Sequence, residues 1–217
     1  MKKILSLLLA ILMLVALVSC VKKTDGEQGT ESTTTVATTA KPELSRGKIE
    51  GDAYKNNYLG FEFTKPDSWV YSTDEEIAQM LNLTVDNILG DKFKEALENN
   101  PAIYDMMVVD SITRTNINVV YENLKKSFAS NITEEQYVDA LKQQMAGVSG
   151  MTVTFPDKLE TAKLGETEFK KCVCTTVSGG VTMTQVYYLR NVDGYMACVI
   201  VTIVKGYTVA DIEAMFK

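Results

Sequence analysis

The chain contains no histidine. That absence removes the commonest general base, the Ser-His and Cys-His nucleophile pairs, and nearly all familiar catalytic zinc sites. A Gly-x-Ser-x-Gly elbow, a phosphate-binding glycine loop and a dinucleotide fingerprint are missing as well, which leaves hydrolases of the usual kinds without their machinery. A calcium loop needs several Asp or Asn at alternating positions followed by a glycine and a bidentate Glu, and no stretch supplies them. Positive charge is also short: 22 Lys and Arg face 28 Asp and Glu, for a net charge of −6. Such a balance argues against a nucleic-acid partner and against a face lying flat on anionic lipid. The expectation is therefore a protein that is not an enzyme and carries no cofactor.

What the chain does have begins at its amino end. Lys2 and Lys3 precede an unbroken apolar run from Leu7 to Val18. A bilayer core needs about 20 apolar residues as helix, so this run is too short to span and fits the apolar region of a signal peptide. Leu17, Val18, Ser19 and Cys20 then stand at its end. This pattern resembles the bacterial lipobox, which implies a signal peptide over 1–19 and a diacylglyceryl group on Cys20, with a palmitate-type chain completing a lipoprotein. An ordinary cleaved secretory signal is the other reading. Two long acyl chains make a stable membrane anchor where one is marginal. Removal of residues 1–19 takes away two lysines and no acid, which moves the net charge from −6 to −8.

Residues 21–47 are rich in Thr, Ser, Gly and charge, with scarcely a large apolar side chain. They cannot bury enough surface to offset their ordering entropy, and as a coil they reach roughly 30 Å. Such Thr-rich tethers look like those of Gram-positive surface lipoproteins. Residues 20–47 are thus assigned as lipidated Cys plus tether, and 48–217 as one domain large enough for a full core.

Within the domain, Thr73 with Glu76 and Thr133 with Gln136 have capping-box spacing and predict helices starting near 74 and 134. Tyr137, Val138, Leu141 and Met145 fall on one stripe behind the second. A third helix is expected around 88–99, with Ile88, Leu89, Phe93 and Leu97 on one face, and a fourth after Thr208. Strands are expected at "YLGFEF", "WVY", "YDMMVVDS", "TNINVVYENL", "MTVTF", "EFKKCVCTTV", "VTMTQVYYLR" and "YMACVIVTI". Gly179-Gly180 and Asp193-Gly194 read as two-residue hairpin turns, which makes the last three strands an antiparallel meander. Tyr195–Ile203 is apolar on both faces and should be covered above and below. The expected class is α+β, a mainly antiparallel sheet with helices on both faces.

The stretches "YKNNYLGFEFTKPDSWVYSTDEEI" and "QVYYLRNVDGYMACVIVTI", with a short closing helix ending in Met215-Phe216, resemble PsbP-like domains of small bacterial lipoproteins. The resemblance implies an α/β/α sandwich over the whole domain. Its named relatives act as binding or assembly proteins without a shared active site, and none of their partner-binding residues maps onto a position here.

Few residues remain as candidates for chemistry. Glu75-Glu76 and Glu134-Glu135 could be acid/base pairs, but each sits in the first turn of an expected helix, where negative charge suits the macrodipole. Besides Cys20, three cysteines remain. The two hairpin turns pair 172 with 187 and 187 with 200, so Cys172, Cys174 and Cys198 share a sheet face, with Cys198 roughly 12 Å from Cys172 and too far to bridge. They read as buried small hydrophobes. Cys172 and Cys174, about 7 Å apart by strand rise, are weak candidates for a metal or redox site, lacking further ligands. Trp69, Tyr58, Phe61, Phe63 and Tyr71 could form an aromatic ligand platform, though core packing is their commoner use. Asn82 and Asn131 head glycosylation acceptors, which a bacterial lipoprotein would not use.

Two functions fit. The first is a non-catalytic, lipid-anchored binding or assembly module on the outer face of the cytoplasmic membrane of a Gram-positive bacterium, held through Cys20 and contacting an extracytoplasmic protein partner. The second is a small-ligand carrier or envelope enzyme with a cleft between sheet and helices. An enclosed pocket with convergent polar groups favours the second, and a large flat apolar patch the first.

Overall fold

The computed structural model describes residues 43–90, 92–127 and 131–217; Cys20, the signal-like segment and residues 21–42 lie outside them. Strands β1 (Lys48–Glu50), β2 (Ala53–Asn56) and β3 (Phe61–Thr64) make a small sheet. The large sheet contains β4 (Trp69–Tyr71), β5 (Ala102–Asp110), β6 (Asn116–Asn123), β7 (Met151–Thr154), β8 (Glu160–Leu164), β9 (Thr167–Ser178), β10 (Val181–Val192) and β11 (Tyr195–Ile203). Its order is β4-β5-β6-β11-β10-β9-β7, with β8 also pairing β9, and every pairing is antiparallel. Five α-helices are described: α1 (Asp74–Met80), α2 (Lys92–Asn99), α3 (Leu124–Ser127), α4 (Glu134–Met145) and α5 (Val209–Glu213). The fold is α+β with a mainly antiparallel sheet.

Helix starts follow from local chemistry. The Thr73 hydroxyl accepts from the Glu76 amide at 3.2 Å while the Glu76 carboxylate accepts from the Thr73 amide at 2.9 Å. Thr133 and Gln136 repeat that exchange at the head of α4, and Thr208 with Asp211 at α5. The third expected helix begins later than its pattern suggests. Gly90 has φ +54° and interrupts the chain. Ile88 therefore ends a 3₁₀ turn over Val85–Asn87 and is buried, whereas Leu89 is exposed.

Both hairpin turns form, with φ of 58° and 80° at Gly179 and Gly180 and 55° and 82° at Asp193 and Gly194. They set the register that places Cys172 opposite Tyr187 and Tyr187 opposite Ile200. All nine residues of β11 are buried. Alternation along β11 divides the interior in two. Tyr195, Ala197, Val199, Val201 and Ile203 pack with Phe61 and Phe63 of the small sheet, Phe93 and Leu97 of α2, and Ile212 of α5. Met196, Cys198 and Ile200 pack with Ile77 of α1 and with Tyr137, Val138, Leu141 and Met145 of α4. Each buried Val, Leu, Ile, Phe or Met among them contributes roughly 1.5–3 kcal/mol by its burial.

Three strands escape the sequence pattern. β1 and β8 are short and largely exposed, and β2, although Tyr54 and Asn56 are buried, has a single large apolar residue among four, too few to mark a half-buried strand. The small sheet therefore adds a β layer to the first core where only helices are expected. The packed domain also reaches further back than residue 48. Leu44 packs against the first core, and Arg46 and Gly47 bond to β5, so the end of the segment assigned to the tether is part of the body.

Candidate functional site

Two buried polar constellations stand out, one on each side of the sheet. The first is centred on Asp105. β5 and β6 slip register between Tyr104 and Met106, so Asp105 is the extra residue of a β-bulge. A bulge re-aims a side chain, and here it turns a carboxylate inward beside Tyr54 and Tyr121. Asp105 is 1% exposed, yet its oxygens are well supplied. The Tyr54 hydroxyl donates at 2.6 Å, the Asn56 amide at 2.9 Å, and the Gly47 amide at 3.0 and 3.1 Å. Arg46 donates to the Asp105 carbonyl, lies 3.5 Å from its carboxylate, and pairs with Asp74 of α1 at 2.6 Å. Burial pushes the Asp105 carboxyl up to about 6, against the pull of those donors. Gly47 is required by close approach: a Cβ there would stand 2.3 Å from the Tyr54 ring. These groups fasten the arriving chain to the domain. Asp105 sits in an otherwise apolar run, and that interruption is the only sequence signal for it.

The second constellation contains the thiols. Cys172 and Cys174 lie on β9 with their sulfurs 3.6 Å apart, closer than the strand rise between them, because the side chains lean together. β8 pairs Thr167–Lys171 and β7 pairs Thr175–Ser178, so residues 172–174 have, among the described residues, a strand partner on the β10 side alone. Between β7 and β8 the chain leaves the sheet, and with α4 it forms a cleft of about 360 Å³. Val138, Asp139 and Lys142 line one wall and Pro156, Lys158 and Leu159 the other. Val138 belongs to the same packed cluster as both thiols, and Leu159 packs against it.

The sulfur pair is electrostatically asymmetric. Its shared hydrogen bond holds the Cys172 thiol below its usual range, against burial and with help from the Lys142 cation. The same bond, followed by burial, pushes the Cys174 thiol up. Tyr187, directly opposite Cys172, is fully buried among the thiols, and its hydroxyl has no hydrogen-bond partner among the described residues. Burial pushes it well above the usual phenol range, so it stays a donor. No family model matches the chain, and no curated protein matches it either.

Other candidates fall elsewhere. Cys198 shares the face but lies opposite Leu189, its sulfur 3.7 Å from the Tyr137 hydroxyl, which itself donates to Glu122 at 2.6 Å. Among the described residues no group of three or more His, Cys, Asp or Glu is placed to hold a metal ion. Trp69, Phe61, Phe63 and Tyr58 are buried in the first core, so they offer no surface platform. Glu76 caps α1, while Glu134 accepts from the Asn191 amide at 2.7 Å and ties α4 to β10. Cys20 lies outside the described residues.

Proposed function

We propose that the chain is a lipid-anchored extracytoplasmic binding module, a PsbP-like α/β/α sandwich displayed from the membrane through Cys20. The observation that carries this reading is the way the chain enters the domain. Arg46 and Gly47 are fastened to a buried carboxylate where the tether arrives, so tension from an anchor meets an ion pair and a set of hydrogen bonds. Removing one member of a buried pair costs several kcal/mol, which suits a point of attachment. Helix residues in both cores support the sandwich reading, with α1 and α4 on one side and α2 and α5 on the other.

Among the described residues, the large apolar side chains that remain exposed are Ile49, Val70, Leu89, Ile112, Val177 and Val181, spread over separate elements and loops. The cleft at α4 offers a second reading, a carrier for a small ligand, because charges of both signs line it: Glu135, Asp139 and Lys142 from α4, and Asp157 and Lys158 from the loop between β7 and β8. In cells, Cys20→Ala should release the protein from the membrane fraction and abolish detergent-phase partitioning while the domain stays folded. Crosslinked species of the anchored form should disappear in the same variant. Persistence in the detergent phase after a salt wash would refute the anchor; retained crosslinks in the released protein would refute the dependence on display.

A further inference from the structure

We propose that Cys172 and Cys174 form a reversible disulfide within β9 on exposure to a small hydroperoxide admitted through the α4 cleft. This inference stands apart from the binding reading above. Both thiols are free, and their sulfurs are in contact at 3.6 Å. Two residues of strand rise place their Cα atoms roughly 6.6 Å apart, near the upper limit a disulfide spans. A bond made there is strained, and strained disulfides are the readily reduced, regulatory ones.

Closing the bond must draw the strand together locally. Residues 172–174 are the part of β9 between its β8 and β7 pairings, so no ladder on that edge has to break. The surroundings suit a thiolate attacking a peroxide. Lys142 acts electrostatically on both sulfurs, and the unpartnered Tyr187 hydroxyl can donate to the thiolate or to the departing oxygen. Both cysteines are essentially unexposed, which excludes bulky partners, whereas Val138 lines the open cleft and belongs to the same buried cluster as the thiols, so a small oxidant has a short way in.

The chemistry balances with hydrogen peroxide as oxidant. The Cys172 thiolate attacks one peroxide oxygen, the O–O bond breaks, and the other oxygen leaves as water after taking a proton. The resulting sulfenic acid is attacked by Cys174, the S–O bond breaks, and a second water leaves with the Cys174 proton. Two thiols lose two electrons and one peroxide gains them. An external dithiol reverses the reaction by exchange through a mixed disulfide.

The test uses the full-length protein treated with hydrogen peroxide, then denatured, alkylated and digested with trypsin. The tryptic peptide 172–190 contains Cys172 and Cys174 and no other cysteine. It should lose two hydrogens and accept no alkyl group, and dithiothreitol should restore both thiols. Cys174→Ser should stop at a dimedone-reactive sulfenic acid on Cys172, Cys172→Ser should oxidise no faster than Cys198, and Tyr187→Phe should slow oxidation several-fold. If both thiols remain alkylatable under conditions that oxidise glutathione, or if Cys198 oxidises first, the proposal fails. Equal rates for Cys172→Ser and Cys174→Ser would overturn the assignment of the nucleophile.

Discussion

Asp105 shows how much one residue can decide. A carboxylate at 1% exposure is tolerated because Tyr54, Asn56, Gly47 and Arg46 surround it, and its bulge position turns it toward them. Its carboxyl is raised to about 6 from an ordinary value of 3.8, so in that window the folded state binds the proton more tightly than the unfolded chain. The contribution is therefore fully present below about pH 4, lost as pH rises through 6, and flat above; at 1.36 kcal/mol per unit the swing is about 3 kcal/mol. Asp105→Asn cannot titrate. The stability difference between wild type and Asp105→Asn, from urea midpoints at pH 4, 5.5 and 7.5, should shrink by about that amount toward high pH. Parallel stability curves would show that Asp105 does not titrate in this range. Neither the bulge nor the donors are legible from "YDMMVVD", since all four partners, Arg46, Gly47, Tyr54 and Asn56, come from residues 46–56.

At the scale of elements, local rules and long-range packing divide the work. Capping boxes at Thr73, Thr133 and Thr208 place three helix starts because each cap is made within four residues. Thr133→Ala should lower stability by about 1 kcal/mol, measured by chemical denaturation, with most of that cost already lost in Gln136→Ala if the two side chains act as one device. Additive losses would mean that the box is two separate contacts. The helix expected around 88–99 is shortened by Gly90, where a positive φ outweighs the spacing of Ile88 and Leu89. Strands β1, β2 and β8 have no such local mark, because what holds them is pairing to a partner: β2 to β3, and β8 to the first half of β9.

The whole molecule is organised around β11, whose alternate side chains enter two cores on opposite faces of the sheet, with Leu81 and Leu83 packing against both. Because one strand serves both, loss of either core should unfold the other. Leu141→Ala in α4 and Leu97→Ala in α2 should each cost about 2–5 kcal/mol and each lower a single urea transition seen alike by fluorescence and circular dichroism. Two separated transitions in either variant would show the cores to be independent. By itself, the sequence determined the tether-to-domain change of composition, the helix caps, the two hairpins, and through them the register that aligns Cys172 with Tyr187 and Tyr187 with Ile200. Those features rest on interactions between residues a few positions apart, and two-residue turns transmit them across three strands. Only the tertiary structure decided that Arg46 and Gly47 belong to the body and that Asp105 faces inward. It alone decided that, among the described residues, β9 lacks an outer partner at the two thiols and that Lys142, which acts on both sulfurs, lines the nearby cleft. These depend on chain segments tens of residues apart meeting at a bulge, a strand gap and a helix wall, where burial and pairing rather than local propensity fix the outcome.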